Sequence, residues 1–577
     1  MKTMQWLGKL TFLNRVLTKK IGLGLFIFVL IGFAAFFLFK KELAPTLPQK
    51  VSVYLSHQLV VAGVRPLIPI QGEVLHADTM VLRFYVDRSF KPAWVNDQGV
   101  SPLADTLIAL LKTSEEEGLK PEDYHFYKLD SLLNSVVKQY QISQEWNLTS
   151  LADLDLILTD AYLLYGSHLL SGRVDPETVD PLWLTQYPEI DMTLVLKEAL
   201  IKKNLKKSLQ ELLPGTRDYY RLRDELARYK AIAWRGGWPI VPEGPSLRRG
   251  QSGYRVAALR ARLMASGQYT PTNLNQHPVF DDKLENALKQ FQCLHGLEQT
   301  GIVDQETRKA LNLPALFYVR KLAQNMERWR WLNRDLGNHH ILVNIAAFQL
   351  QIIKDEQVVF EMPVVVGKNY RQTPVFSGTM THLVLNPYWN IPNTILVEDI
   401  IPKVKQDPDY LKNKDIEVLA NWDTETIIAT DTIRWSRLEK GCIPYRFRQK
   451  PGDHNSLGRI KFIFPNKYDV YLHDTPYRSH FKEKERAYSS GCIRLERPLD
   501  LATYLLKDQE KWVKEALVDA LNSMENQTIL LTEPIPVHLL YLTAWAHPDG
   551  AIHYYEDIYH RDELLENALR QQNVLQD

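Results

Sequence analysis

Two of the chain's three cysteines sit in similar surroundings, Cys442 in "EKGCIPYR" and Cys492 in "YSSGCIRL"; the third is Cys293. A cysteine attacks as its thiolate, and a free thiol with a pKa of ~8.5 is only slightly ionised at neutral pH. Bringing that pKa to about 6 requires ~3.4 kcal/mol at ~1.36 kcal/mol per unit, which an imidazolium in contact with the sulfur can supply. The chemistry therefore turns on which cysteine receives a histidine. In "KYDVYLHDTP", strand alternation sends Val470 and Leu472 to one side and Tyr471 and His473 to the other, with His473 at the strand's end. The chain then loops and returns to Cys492. Beyond it, Pro498 opens "PLDLATYLLKD", a helical pattern with Leu499, Ala502 and Leu506 on its buried face. Cys492 thus lies on a turn between a loop and a helix. Gly491 allows close approach of the backbone, and consecutive N–H groups there can point at one oxygen. Cys442 has His382 as its nearest upstream histidine and is followed by Pro444 rather than an arginine. By spacing alone, His473 and Cys492 are either a catalytic pair or two residues that share a loop.

The elements that must position this pair belong to a long chain. Its 577 residues, 45% hydrophobic and 24% charged, suffice for several domains with separate cores. Sixty-nine basic residues nearly balance sixty-eight acidic ones. No basic stripe with interleaved aromatics recurs, which argues against a nucleic-acid partner. Residues 1–20 carry Lys2, Lys9, Arg15, Lys19 and Lys20 and no acid, and read as a cytoplasmic tail. Ile21 to Phe39 is uncharged and long enough for ~30 Å of hydrocarbon, so 21–39 reads as a transmembrane anchor. A cleaved signal peptide would end in small residues, whereas this run ends "FFLFKKELAP". Everything after Lys41 is then expected outside the inner membrane. An odd number of cysteines leaves at least one thiol unpaired within the chain.

Residues 40–245 read as a stalk and helical scaffold. "SPLADTLIALLKTSEEEGL" carries Leu103, Leu107, Leu110 and Leu111 on one face, and "DLDLILTDAYLLYGSHLL" is apolar on most sides. A Pro-, Gly- and Ser-rich stretch from Pro242 to Gly253 marks a boundary. Residues 246–314 follow with a three-helix pattern lined by Val256, Leu259 and Leu263, then Leu284, Leu288 and Phe291, then Ala310 and Leu311. Cys293 beside the second stripe reads as a small core residue. A linking helix spans 315–338. Residues 339–527 change to short β-branched runs, with a less regular insertion at 396–450, and 528–577 form a C-terminal extension. The expected fold is therefore multidomain α+β: a transmembrane helix, a helical scaffold, a three-helix domain and a mainly β catalytic domain.

"YLHDTP" followed by "SSGCIRL" resembles the signature of the L,D-transpeptidase family, as do "VNIAAFQLQII", "MPVVVGK", "TPVFSGTMTHLVLNPYWNIP" and "LGRIKFIFPN". "LRRGQSGYRVAALRARL" and "ALKQFQCLHGLEQTGIVDQETRKALN" resemble a small peptidoglycan-binding domain, and "FYVDRSFKPAWVND" resembles a scaffold. Together they are similar to the large membrane-anchored, multidomain murein L,D-transpeptidases of Gram-negative bacteria. The resemblance implies that Cys492 attacks the carbonyl joining a diamino acid to D-Ala in a tetrapeptide stem. D-Ala leaves, and the amine of a second stem resolves the thioester as a 3→3 cross-link. It further implies that His473 is the acid/base, that N–H groups near Gly491 and Cys492 hold the oxyanion, and that no cofactor or metal is used. Implied partners are donor and acceptor stem peptides, the inner membrane, and penicillin-binding proteins or other wall synthases. A periplasmic catalytic domain and acylation by carbapenems are also implied.

One departure stands out: Ser490 occupies a position where most members have histidine. The resemblance assigns the backbone carbonyl there to orienting the imidazole. Ser489 is expected near the substrate. Arg494 either binds a stem carboxylate or braces the turn, and Tyr471 either touches substrate or packs. Lys440, Arg446, Arg448, Lys450, Arg459 and Lys461 either attract an acidic stem or form a solvated face. The insertion is similar to the family's substrate-capping subdomain, with Trp389 and Trp422 as cleft candidates. Ser479 and Lys482 fit S-x-x-K but lack K-T-G and S-D-N partners. Two rival functions stay open, an L,D-carboxypeptidase or hydrolase on the same site and a catalytically silent wall-binding tether.

Overall fold

A computed structural model describes residues 45–62, 69–184, 189–270, 278–438 and 443–576. The expected transmembrane segment and Cys442 lie outside them. Among the described residues no helix is long and apolar enough to cross a membrane.

Two compact units are present. The first comprises the described residues up to Ile108 with Tyr127–Leu163 and Leu200–Lys203. Its polar centre is Asp155, whose carboxylate accepts from the Tyr85 hydroxyl (2.5 Å) and the N–H groups of Ala93 (2.9 Å) and Trp94 (2.7 Å). Burial pushes this carboxyl up to about 6 despite those donors.

The second unit holds Ala109–Phe126, Leu164–Ala199 and the chain from Asn204 onward. Its three-helix segment runs Tyr254–Ala265, Asp282–Leu294 and Gln305–Leu311. Asp281 and Asp304 cap the last two, accepting from the Leu284 and Thr307 N–H groups at 2.8 and 2.7 Å. Val256, Leu259, Leu263, Leu284, Leu288 and Phe291 all join one buried cluster, which is why the apolar spacing forms these helices. Cys293 is only partly buried and unpaired. The following helix, Ala315–Arg330, is buried along most of its length, and Trp329 and Trp331 pack inside.

The catalytic region is a nine-stranded sheet. Its strands are β1 (His339–Asn344), β2 (Gln349–Lys354), β3 (Gln357–Gly367), β4 (Phe376–Leu385), β5 (Ile460–Ile463), β6 (Leu472–His473), β7 (Ala487–Ser489), β8 (Ile493–Leu495) and β9 (Gln527–Leu540). The order is β7-β3-β8-β6-β5-β4-β9-β1-β2, and β2 also pairs with β3, so the sheet closes on itself. Leu383, Leu385, Ile460, Phe462, Leu472, Ile493 and Leu495 bury one face completely. The alternate residues of β5, β6 and β8 are left for the other face.

Two expectations need correction. The catalytic domain does not end at 527: β9 begins there and lies between β4 and β1, antiparallel to one and parallel to the other. A register shift between Leu530 and Ile535 takes up "TEPIP", whose prolines cannot donate to a ladder and hid the strand's alternation. The insertion is likewise wider than 396–450. A three-stranded sheet of Trp389–Asn390, Ile416–Leu419 and Arg446–Gln449 belongs to it. Its own core reaches from Trp389 through Leu396, Ile400 and Val418 to Phe447 and Leu457.

Cutting the chain after Asn526 should therefore unfold the catalytic region rather than trim an appendage. Loss of its cooperative thermal transition by calorimetry is the expected result, and a native-like melt would refute this placement of β9.

Candidate active site

The parallel pairing of β6 with β8 sets Leu472 opposite Ile493 and His473 opposite Arg494, and the Ile493 N–H donates to the Tyr471 carbonyl at 3.1 Å. Since paired residues share a face and alternate residues return to it, Tyr471, His473, Cys492 and Arg494 all project to the same side. Antiparallel β5 adds Lys461, opposite His473. Two rows result: Lys461, His473 and Arg494 in one, Tyr471 and Cys492 in the next. His473 and Cys492 are diagonal neighbours, with no direct hydrogen bond between them. Catalytic contacts of this kind often tighten only around substrate.

The sulfur's immediate partners belong to other residues. Cys492 Sγ donates to the Asp469 carbonyl at 3.6 Å. Tyr471 stands beside the sulfur and favours its charged form, and Trp389 stands beside Tyr471 in turn. Burial pushes the thiol up from its ordinary range. Tyr471 and the charges of Lys461 and Arg494 oppose that rise without cancelling it.

His473 is buried, at 4% exposure. Its Nδ1 lies 2.5 Å from the Asp474 carbonyl, to which it donates, leaving Nε2 as the acceptor. Burial first, and then Arg494 and Lys461, push this imidazole down to about 3, against the opposing pull of the Asp474 and Leu457 carbonyls. The resting pair is thus a neutral thiol and a neutral imidazole. The expectation that an imidazolium lowers the thiol's pKa is not met, because burial of the ring, reinforced by Arg494 and Lys461, disfavours the charged form. Nor does the Ser490 carbonyl orient the imidazole; the Asp474 carbonyl does so. Asp474 is itself fixed, accepting from the N–H groups of Arg459 (2.8 Å) and Thr475 (2.7 Å) and from Arg478. Gly458, at φ +60°, makes room for it: a Cβ there would come within 2.4 Å of the carboxylate.

The turn at Cys492 is tied from several directions. Gly491 has φ +110°, a region open to glycine. The Ser489 hydroxyl donates to the Cys492 carbonyl (2.5 Å) and accepts from the Gly491 N–H (3.1 Å). Ser489 is therefore buried in a brace and not free to meet substrate, and the Gly491 N–H is already engaged. The Thr373 hydroxyl donates to the Gly491 carbonyl at 2.8 Å and accepts from the Gly367 N–H at 3.0 Å. Tyr559, from the C-terminal extension, donates to the Gly367 carbonyl at 2.5 Å. The Ser490 hydroxyl accepts from Arg371 (2.9 Å), which also pairs with Asp399 (2.5 Å) and Glu398 (2.6 Å) of the insertion. Arg371 and Tyr559 lie outside the stretches that resemble the family, and Thr373 opens one of them, but local pattern assigns none of the three a role.

Arg494 leans on the Tyr477 ring, 5.5 Å from its centroid, and its Nε is buried without a hydrogen-bond partner. Lys461 Nζ stands 3.8 Å from the centre of the Tyr471 ring. Lys440 lies outside the described residues, and the other four members of the expected basic cluster are used otherwise. Arg446 and Arg448 pair with Glu425 and Glu417, Lys450 with Glu417, and Arg459 with Asp453. Trp389 is buried beside Tyr471, whereas Trp422 is 64% exposed under Arg446.

Comparison with known proteins fits this arrangement. Residues 338–514 match the "L,D-transpeptidase catalytic domain", residues 252–311 the "Putative peptidoglycan binding domain" and residues 79–226 the "Scaffold domain". The chain thus carries an L,D-transpeptidase catalytic domain joined to scaffold and peptidoglycan-binding domains. A Haemophilus influenzae relative named "Putative L,D-transpeptidase" is 37% identical over 250 residues, which cover 43% of this chain and 50% of the relative. The match thus spans half the relative's length. A crystal structure of an L,D-transpeptidase from Xylanimonas cellulosilytica (residues 123–326) aligns at 14% identity over 52% of this chain and 99% of that one. Its TM-score is 0.16, too low to support any argument about the fold.

A neutral resting pair has a kinetic signature. Alkylation of Cys492 by iodoacetamide should be slow near neutrality and keep climbing with pH beyond the range where an ordinary thiol has ionised. Peptide-mapped alkylation rates from pH 5 to 10 check this. A fast plateau persisting below pH 6 would indicate a thiolate–imidazolium pair instead.

Proposed function

We propose that the protein is a peptidoglycan L,D-transpeptidase that forms 3→3 cross-links through a thioester on Cys492. The observation that carries this reading is the β6–β8 register, which puts thiol and imidazole on the same sheet face within the matched catalytic domain. His473 Nε2 takes the thiol proton as sulfur attacks the stem carbonyl, then passes it to the departing D-Ala nitrogen. Tyr471 stabilises the charge on sulfur before attack. The Cys492 N–H is the oxyanion donor, because that of Gly491 is occupied. The amine of a second stem then attacks the thioester and regenerates the thiol. No net bond energy is needed, since one amide replaces another. The insertion acts as a lid over the acyl-enzyme, held by Arg371. Residues 21–39 anchor the protein in the inner membrane with the catalytic domain in the periplasm, so removing 1–39 should release it from the membrane fraction.

Mass spectrometry of digested murein after incubation tests the activity. Dimeric muropeptides with 3→3 links are expected; trimmed monomers alone would indicate a hydrolase, and no change a silent tether. Cys492→Ala should abolish turnover while Cys442→Ala retains most of it. A carbapenem should add its mass to the wild-type protein and not to Cys492→Ala.

A further inference from the structure

Lys461 and Arg494 share one feature that the proposed chemistry leaves unused. Both are largely withdrawn from water, both project from the sheet face that carries Cys492, and neither has a carboxylate within ion-pairing distance among the described residues. Asp469 is the nearest acid to Lys461 and does not reach it as an ion pair. Each rests on an aromatic ring but lacks a carboxylate, and a cation held partly out of water without a counter-charge is costly, so two in one row mark a place where an anion is expected. The buried, unsatisfied Nε of Arg494 is a second sign, a donor waiting for an acceptor.

We propose that Lys461 and Arg494 form a subsite for the free α-carboxylate of the stem's terminal D-Ala. The proposal rests on the transpeptidase reading and deepens it by naming what selects the donor. Along a strand the two rows lie ~6.6 Å apart, at ~3.3 Å per residue. When the scissile carbonyl meets Cys492 Sγ, the terminal carboxylate is separated from it only by the amide nitrogen and one Cα. It therefore falls toward the adjoining row, where the guanidinium can offer paired N–H donors and the ammonium a point charge. Bound there, the carboxylate also offsets the positive field around His473, so the imidazole accepts the thiol proton more readily once the correct donor has arrived. A stem extended by one residue would move its carboxylate out of reach.

The test compares disaccharide-tetrapeptide donors ending in D-Ala carboxylate or D-Ala carboxamide, with thioester formation followed by intact-protein mass and leaving-group release by chromatography. The wild-type enzyme should favour the carboxylate by about 10- to 100-fold in kcat/KM, the range of a charge-assisted contact. Lys461→Met and Arg494→Met should each shrink that preference, and Lys461→Arg should restore part of it. A donor amidated at its upstream carboxylates but free at D-Ala should retain the preference; its loss would assign the subsite to another stem carboxylate and overturn the proposal. Equal wild-type rates on the two terminal forms would overturn it too, without need of any variant. Failure to acylate with either donor would instead remove the transpeptidase reading itself.

Discussion

The pairing of β5, β6 and β8 is the constraint on which the site depends. Three short strands, aligned in one register, place Lys461, His473 and Arg494 in a line and Tyr471 and Cys492 beside it. A shift of one residue in β6 would turn His473 toward the apolar core and bring Leu472 to the surface. Buried Leu472, Ile493 and Phe462 on the opposite face hold that register, so the chemistry is fixed by packing it never touches. The cost to the imidazole is considerable. At an effective dielectric of ~20, one cation ~6 Å away disfavours an imidazolium by ~3 kcal/mol, and this row has a cation on either side. Burial adds to this on both groups, and together they favour the proton on sulfur.

That resting state suits the nucleophile proposed here, which waits between encounters with substrate. A neutral thiol is a poor target for oxidants and stray electrophiles. Tyr471, with Trp389 beside it, favours the charged form of the sulfur, an effect that strengthens as charge develops there. The turn around Cys492 needs equal rigidity. Ser489 ties it internally, Thr373 and Tyr559 tie it to β3 and the C-terminal segment, and Arg371 ties Ser490 to the insertion. The last link joins nucleophile and cap through one side chain.

Local pattern revealed the parts of this design that depend on local pattern. Alternation in "YDVYLHD" put Tyr471 and His473 on one face, and glycine before Cys492 matched a positive φ. Apolar spacing gave the three helices between residues 254 and 311. What stayed hidden depends on pairing between distant segments. Lys461 appeared as one of six basic residues, and only the strand register separates it from Arg446 or Arg448, whose charges are spent on Glu417 and Glu425. Ser489 looked like a substrate contact because its buried partners are backbone groups that carry no sequence signal. The strand Gln527–Leu540 was obscured by prolines at its bulge. The imidazole's carbonyl partner was sought at Ser490, whereas the residue directly after His473 supplies it.

The central claim is that His473 is held neutral, with its proton on Nδ1, by burial and by the two cations beside it. Nitrogen-15 NMR of protein labelled at histidine, with the His473 signal assigned by its loss in His473→Gln, measures this directly. The account expects the Nδ1–H neutral tautomer throughout pH 5 to 8, with protonation only far below the ordinary histidine range. An imidazolium signal for His473 at pH 6 to 7 in the free enzyme would contradict it.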